Sequence, residues 1–72
     1  MYYTYILISL NFPKTYVGRT IDLDKRVKEH NQGMSNFTRR FKQWKLLSFE
    51  TFTSWEDSTK REKYFKSAAG RR

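Results

Sequence analysis

The chain has 72 residues, 18% of them aromatic, no cysteine, and fifteen Lys and Arg against seven Asp and Glu, for a formal net charge of +8. That length fits one domain, residues 1–72, whose small core must draw most of its burial from large rings. The composition excludes a disulfide scaffold and a thiolate zinc site, and no run approaches the roughly 20 apolar residues of a membrane span. A soluble cytoplasmic protein is expected, with a polyanion as partner, nucleic acid ahead of a membrane surface.

In chain order, "MYYTYILIS" (Met1 to Ser9) is aromatic and β-branched and reads as a strand partly covered on both faces. "LNFPK" carries Asn and Pro and reads as a turn, and "TYVG" (Thr15 to Gly18) as a second short strand. The short connection predicts an antiparallel hairpin. If its turn centres between Leu10 and Asn11, Tyr5 lies opposite Tyr16 on one face. Two facing tyrosines can be packing, or can hold a water or a phosphate oxygen. Gly18 can end the strand or let a ligand approach the backbone.

Asp22 is a helix N-cap candidate, with the helix running to about His30 or Asn31 and Gly33 as its left-handed terminator. Leu23, Val27 and His30 share one face, so His30 sits at the rim of the core. It can be a hydrogen-bonded structural residue or a proton carrier. Arg26 is its neighbour one turn back and suits bidentate phosphate binding. "MSNFTRRFKQ" (Met34 to Gln43) has no clean period and reads as a basic surface loop presenting Arg39, Arg40 and Lys42.

"WKLLSFETF" (Trp44 to Phe52) is the third strand. Ser54 caps a second helix, with Asp57 at the capping-box position, that runs to about Ala68 before Gly70 and a basic tail of Arg71 and Arg72. The order β-β-α-β-α predicts an α+β fold, a three-stranded antiparallel sheet flanked by helices. The inward seam of the second helix should follow Trp55, Ser58, Glu62, Phe65 and Ala69. Glu62 then faces the sheet and needs a partner, because burying a bare carboxylate costs several kcal/mol. The partner is a metal, or Arg26 or a lysine in a salt bridge, unless the helix is rotated to leave Glu62 at the edge. Tyr5, Tyr16, Arg26, His30 and Glu62 are therefore candidates for one cluster on one sheet face.

These residues resemble a family. "TYI" (Thr4 to Ile6), "YVGRTIDLDKRVKEH" (Tyr16 to His30) and the late helix "KREKYFKS" (Lys60 to Ser67) are similar to the GIY-YIG nuclease domain, in particular its small stand-alone bacterial members and the nuclease domain of the excinuclease C subunit. The first motif departs from the pattern, with Tyr3 and Thr4 in place of its glycine and isoleucine, and the late asparagine of some members has no convincing counterpart. The resemblance implies a divalent-metal-dependent endonuclease acting on phosphodiester bonds, on DNA ahead of RNA, with a larger repair or recombination partner in view. It implies Tyr5 and Tyr16 as the motif tyrosines, Arg26 as the phosphate-binding arginine, His30 as a frequent helix histidine, and Glu62 as the ligand of one Mg²⁺ or Mn²⁺. Arg19, after the glycine, falls where related domains often carry lysine or a small residue, in reach of phosphate. Lys14, Arg39, Arg40, Lys42, Lys60 and Arg61 would steer the polyanion without reading bases. The alternative is a basic DNA- or RNA-binding module, catalytically weak or inactive.

Overall fold

The computed structural model describes residues 1–34 and 37–69. They form β1 (Tyr2–Ser9), β2 (Thr15–Thr20), α1 (Leu23–Gln32), a 3-10 turn (Thr38–Phe41), β3 (Trp44–Phe52) and α2 (Trp55–Ala69). The three strands make one antiparallel sheet in the order β2-β1-β3. The expected α+β architecture is present, and β1, the most aromatic and β-branched segment, takes the central place where both faces are covered. No helix among the described residues is long and apolar enough to cross a membrane. The expected terminator Gly70, the tail Arg71 and Arg72, and the side chain of Ala69 lie outside the described residues.

The helix ends follow their local chemistry. Asp22 Oδ1 accepts the Lys25 N–H at 3.2 Å, and Gly33 closes α1 with φ 84°, a left-handed value that a side chain would strain. Ser54 Oγ accepts the Asp57 N–H at 3.1 Å and starts α2.

The hairpin differs from expectation in its register. Tyr5 pairs with Gly18 and Leu7 with Tyr16, so the partner of each tyrosine is two residues from the one the short turn implied. Ser9 is the cause. Its Oγ accepts from the N–H of Asn11 and of Phe12, and its N–H donates to the Lys14 carbonyl at 2.9 Å, which moves the turn towards Phe12. A slide of two residues preserves the side-chain period, so Tyr5 and Tyr16 still share a face.

On the Tyr5 face, Tyr5, Leu7 and Trp44 form the buried core, and Leu23 and Val27 of α1 pack on it with Tyr16, Phe41 and Leu46. Thr38 and Phe41 of the Met34 to Gln43 segment contribute to this core, contrary to its reading as a surface loop. Thr38 is fully buried, and its carbonyl accepts the Trp44 indole N–H at 2.6 Å. Asn31 fastens the end of α1 to β3, its amide bonding both the N–H (2.6 Å) and the carbonyl (3.0 Å) of Trp44.

Helix α2 covers the opposite face. The buried Thr4 hydroxyl donates to the Ser58 carbonyl at 2.8 Å, and Trp55 meets Tyr2 edge-on at 5.3 Å. Ser58 is fully buried and Phe65 half-buried, as the seam predicts, but Trp55 is 41% exposed, so the seam begins at the rim of the sheet.

Candidate active site at the hairpin edge

The floor of the site is a hydrogen-bonded chain. Tyr5, 1% exposed, points its hydroxyl at His30 Nε2, 2.9 Å away, and His30 Nδ1 lies 2.7 Å from Thr38 Oγ1. Burial, supported by the field of Tyr16, pushes the Tyr5 hydroxyl up to about 12, against the pull of the nearby Arg26. Burial, reinforced by the Arg26 cation, pulls His30 down to about 4. Near neutral pH both are therefore uncharged. The phenol donates to Nε2, which leaves Nδ1–H to donate to Thr38. Both ring nitrogens are thus committed, and His30 is fully buried, not at the rim of the core where the end of the apolar stripe put it, because Thr38 of the 3-10 turn closes over its outer nitrogen.

Gly18 has a packing role that neither of its sequence readings contained. It lies within β2, opposite Tyr5, and a Cβ there would come within 2.5 Å of Tyr5 Oη and 2.9 Å of Tyr16 Cε2. The two phenols occupy the space that a side chain would take. Tyr16 leans on His30 with ring centroids 4.8 Å apart and on Phe37 at 6.1 Å, and it is only half-buried.

Arg26 stands over this floor from α1. Burial works against its charge, but a hydrogen bond to Glu29 at 3.0 Å and the proximity of Tyr5 and Tyr16 hold its pKa above the ordinary arginine value. It stays a cation beside the two phenols.

Glu62 arrives from the other side of the sheet, which corrects the expectation of a single-face cluster. Arg19 pairs with Thr4 across the hairpin, so its side chain lies on the α2 face, and there its Nε meets Glu62 Oε1 at 3.2 Å. Lys66 Nζ meets Glu62 Oε2 at 3.0 Å. The partner of Glu62 is thus Arg19 together with a lysine, and not Arg26. Arg19 is itself held by a hydrogen bond to Thr59 and by stacking 4.3 Å from the Trp55 ring. The carboxylate still acts on the tyrosine side, where its field adds to the upward shift of Tyr5. The route is the edge of the sheet, since among the described residues β2 has no outer neighbour. A hollow of about 250 Å³ wraps that edge, lined by Thr15, Tyr16, Val17, Phe37 and Lys66. A larger hollow, about 620 Å³ beside Glu50 and Arg61, contains none of the five clustered candidates.

Glu62 is the one carboxylate of the five clustered candidates, and among the described residues no group of three or more His, Cys, Asp and Glu is gathered. A single carboxylate fits a hard ion that keeps most of its water shell, such as Mg²⁺ or Mn²⁺, and does not suit a soft one. The outlying cations divide. Arg39, Arg40, Lys42 and Lys60 are exposed, and Lys14 lies over the Phe41 ring at 5.4 Å. Arg61 is held, with two bonds to Glu50 at 2.6 and 3.2 Å and stacking on Tyr64 and Phe65. Sequence reasoning missed two residues of this region. Lys66 was legible as the i+4 neighbour of Glu62. Thr38 gave no signal, because it sits in a run without a period.

A family model described as the GIY-YIG catalytic domain matches residues 1–72. A UPF0213 protein of Clostridium perfringens (strain 13 / Type A), CPE1444, is 39% identical over 67 residues, covering 92% of this chain and 71% of that protein. No solved structure matches the chain. On the match over all 72 residues and this relative, the chain belongs to the GIY-YIG family, a nuclease-type family.

Proposed function

We propose that the chain is a divalent-metal-dependent endonuclease that hydrolyses phosphodiester bonds in nucleic acid, with DNA as the first substrate to test. The observation that carries this reading is that Arg26 and Glu62, from opposite faces of the sheet, both act on Tyr5, which packs against Tyr16 with ring centroids 6.3 Å apart. Family membership supplies the reaction type, and the +8 charge fits the substrate class.

Each group has a role that its surroundings support. Arg26 holds the non-bridging oxygens of the phosphate and stabilises the charge that grows on them, an effect worth about 10²–10³ in rate for one well-placed donor. The Tyr16 hydroxyl takes a proton from the attacking water and passes its own to solvent. The water oxygen bonds to phosphorus, the bond to the leaving oxygen breaks, and that oxygen draws a proton from solvent. Tyr5, kept protonated and tied to His30, is a positioning residue that holds Tyr16 by contact. His30 in turn fixes Tyr5 and does not accept the proton of Tyr16, because burial disfavours its charged form and Nε2 is already engaged. Glu62 would hold Mg²⁺ or Mn²⁺, which when bound polarises the phosphate and stabilises the leaving oxygen. The exposed Arg39, Arg40, Lys42 and Lys60 attract the polyanion.

The test is nicking of supercoiled plasmid, branched DNA and structured RNA in Mg²⁺ or Mn²⁺, comparing wild type with Glu62→Ala and Arg26→Ala. Cleavage by wild type alone supports the proposal, and cleavage that survives both substitutions removes this site from the reaction. One observation favours the binding-module alternative: both oxygens of Glu62 are already engaged by cations. Salt-steep binding that is indifferent to EDTA, with no product under any metal, would establish it.

A further inference from the structure

The engagement of Glu62 has a use. Each of its oxygens faces a different cation, Arg19 Nε at 3.2 Å and Lys66 Nζ at 3.0 Å, while only 14% of its side chain is exposed. A divalent ion approaching that carboxylate meets two positive charges at contact distance and must compete with both. The two cations are not equally free to leave. Arg19 is braced on Trp55 and Thr59, whereas the Lys66 side chain is 57% exposed on the outermost turns of α2 and also lines the hollow beside Tyr16. A phosphate entering that hollow has Lys66 as its nearest cation among the lining residues.

We infer that Arg19 and Lys66 guard Glu62, and that a nucleic-acid phosphate must draw off Lys66, the cation free to leave, before the carboxylate takes a divalent ion, so that metal and nucleic acid bind in a linked fashion. This inference rests on the proposed nuclease reading and concerns the regulation of that same site. Its physical content is exchange of partners. In the free protein the carboxylate neutralises the cations. In the complex the phosphate neutralises Lys66, and the metal would take the place of that lysine on Glu62. Linkage makes the effect reciprocal: whatever factor nucleic acid adds to metal affinity, metal adds to nucleic-acid affinity. Lys66 thereby becomes a positioning residue for phosphate, and metal sits idle on few molecules that hold no substrate.

The experiment counts bound Mn²⁺ by the electron paramagnetic resonance of the free ion. It uses full-length wild type, Lys66→Gln, Arg19→Gln and the double variant, with Glu62→Gln as background. Titrations are run without nucleic acid and with a short phosphorothioate DNA duplex, which slows turnover. Without DNA, each single variant should bind Mn²⁺ at the Glu62-dependent site about threefold to fivefold more tightly than wild type, in line with partly exposed ion pairs. The double variant should gain about tenfold. The duplex should tighten the wild-type site by at least the Lys66→Gln factor and the double variant by less, because in the double variant only the phosphate's own interaction with the ion remains. Equal Mn²⁺ affinity in wild type and variants, with or without duplex, overturns the inference and leaves the nuclease reading intact. No Glu62-dependent site in any protein or condition overturns both. Lys66→Gln replaces a surface side chain and so keeps the comparison usable if Arg19→Gln disturbs the Trp55 contact.

Discussion

Replacing Gly18 by alanine tests the packing that holds the two tyrosines. The new Cβ would lie 2.5 Å from Tyr5 Oη, 2.7 Å from Tyr5 Cζ and 2.9 Å from Tyr16 Cε2, where ordinary contact starts at 3.4 Å. Tyr5 has no room to retreat, since it is 1% exposed and its hydroxyl is bonded to His30 at 2.9 Å. Overpacking of this kind costs about 1–3 kcal/mol. Breaking the Tyr5–His30 hydrogen bond adds about 1 kcal/mol. Removing a glycine from a strand returns roughly 0.5–1 kcal/mol. The net expectation is a loss of about 2 kcal/mol, which for a domain of this size lowers Tm by on the order of 10 °C. Urea unfolding followed by the fluorescence of Trp44 and Trp55 measures it, with a lower midpoint and an unchanged slope. Tyr5→Phe removes the nearest of the three clashing atoms, so the double variant should cost less than the sum of the singles. A Gly18→Ala protein as stable as wild type would refute the close packing of these rings.

Three further outcomes are expected. His30 titrates near 4 in the folded chain and near 6.5 when unfolded, so between those values the unfolded state binds more protons and stability rises with pH, by roughly 3 kcal/mol in all. It is fully present above pH 6.5 and is lost as pH falls through 4, and a His30→Gln protein with the same urea profile between pH 4 and 7 would contradict this assignment. Thr38→Val leaves the His30 Nδ1–H buried without its acceptor and should cost about 1–3 kcal/mol in the same assay, and a cost under about 0.5 kcal/mol would break the proposed chain. Tyr16→Phe should lower cleavage at least about 10²-fold while shifting stability by under about 0.5 kcal/mol, and undiminished cleavage would take Tyr16 out of the proton path.

The parts of the fold that local chemistry dictates were legible in the sequence. Asp22, Gly33 and Ser54 act at the helix ends where their residue types place them, and the strands follow their β-branched and aromatic runs. The hairpin register was not legible, because the Ser9 hydroxyl builds the turn through bonds that spacing alone does not reveal. Its error was two residues, and so the face of each tyrosine was still right. The single-face cluster failed for a related reason. Periodicity says that Glu62 points inward from α2, but it does not say which face of the sheet α2 covers, and Thr4 with Ser58 decides that. Thr38 was hidden because one buried residue in a short 3-10 turn makes no pattern.

The strand order β2-β1-β3 has a consequence for how the chain is made. The middle strand is synthesised before either neighbour, and its second flank stays open until Phe52, the last residue of β3, has left the ribosome. During that interval "YYTYILIS" presents an unpaired hydrogen-bonding edge and a row of rings, the kind of surface that recruits a second nascent copy. The Asn31 clasp on Trp44 spans only thirteen residues, so it can deliver β3 to that flank as soon as β3 exists, and its loss would lengthen the vulnerable interval.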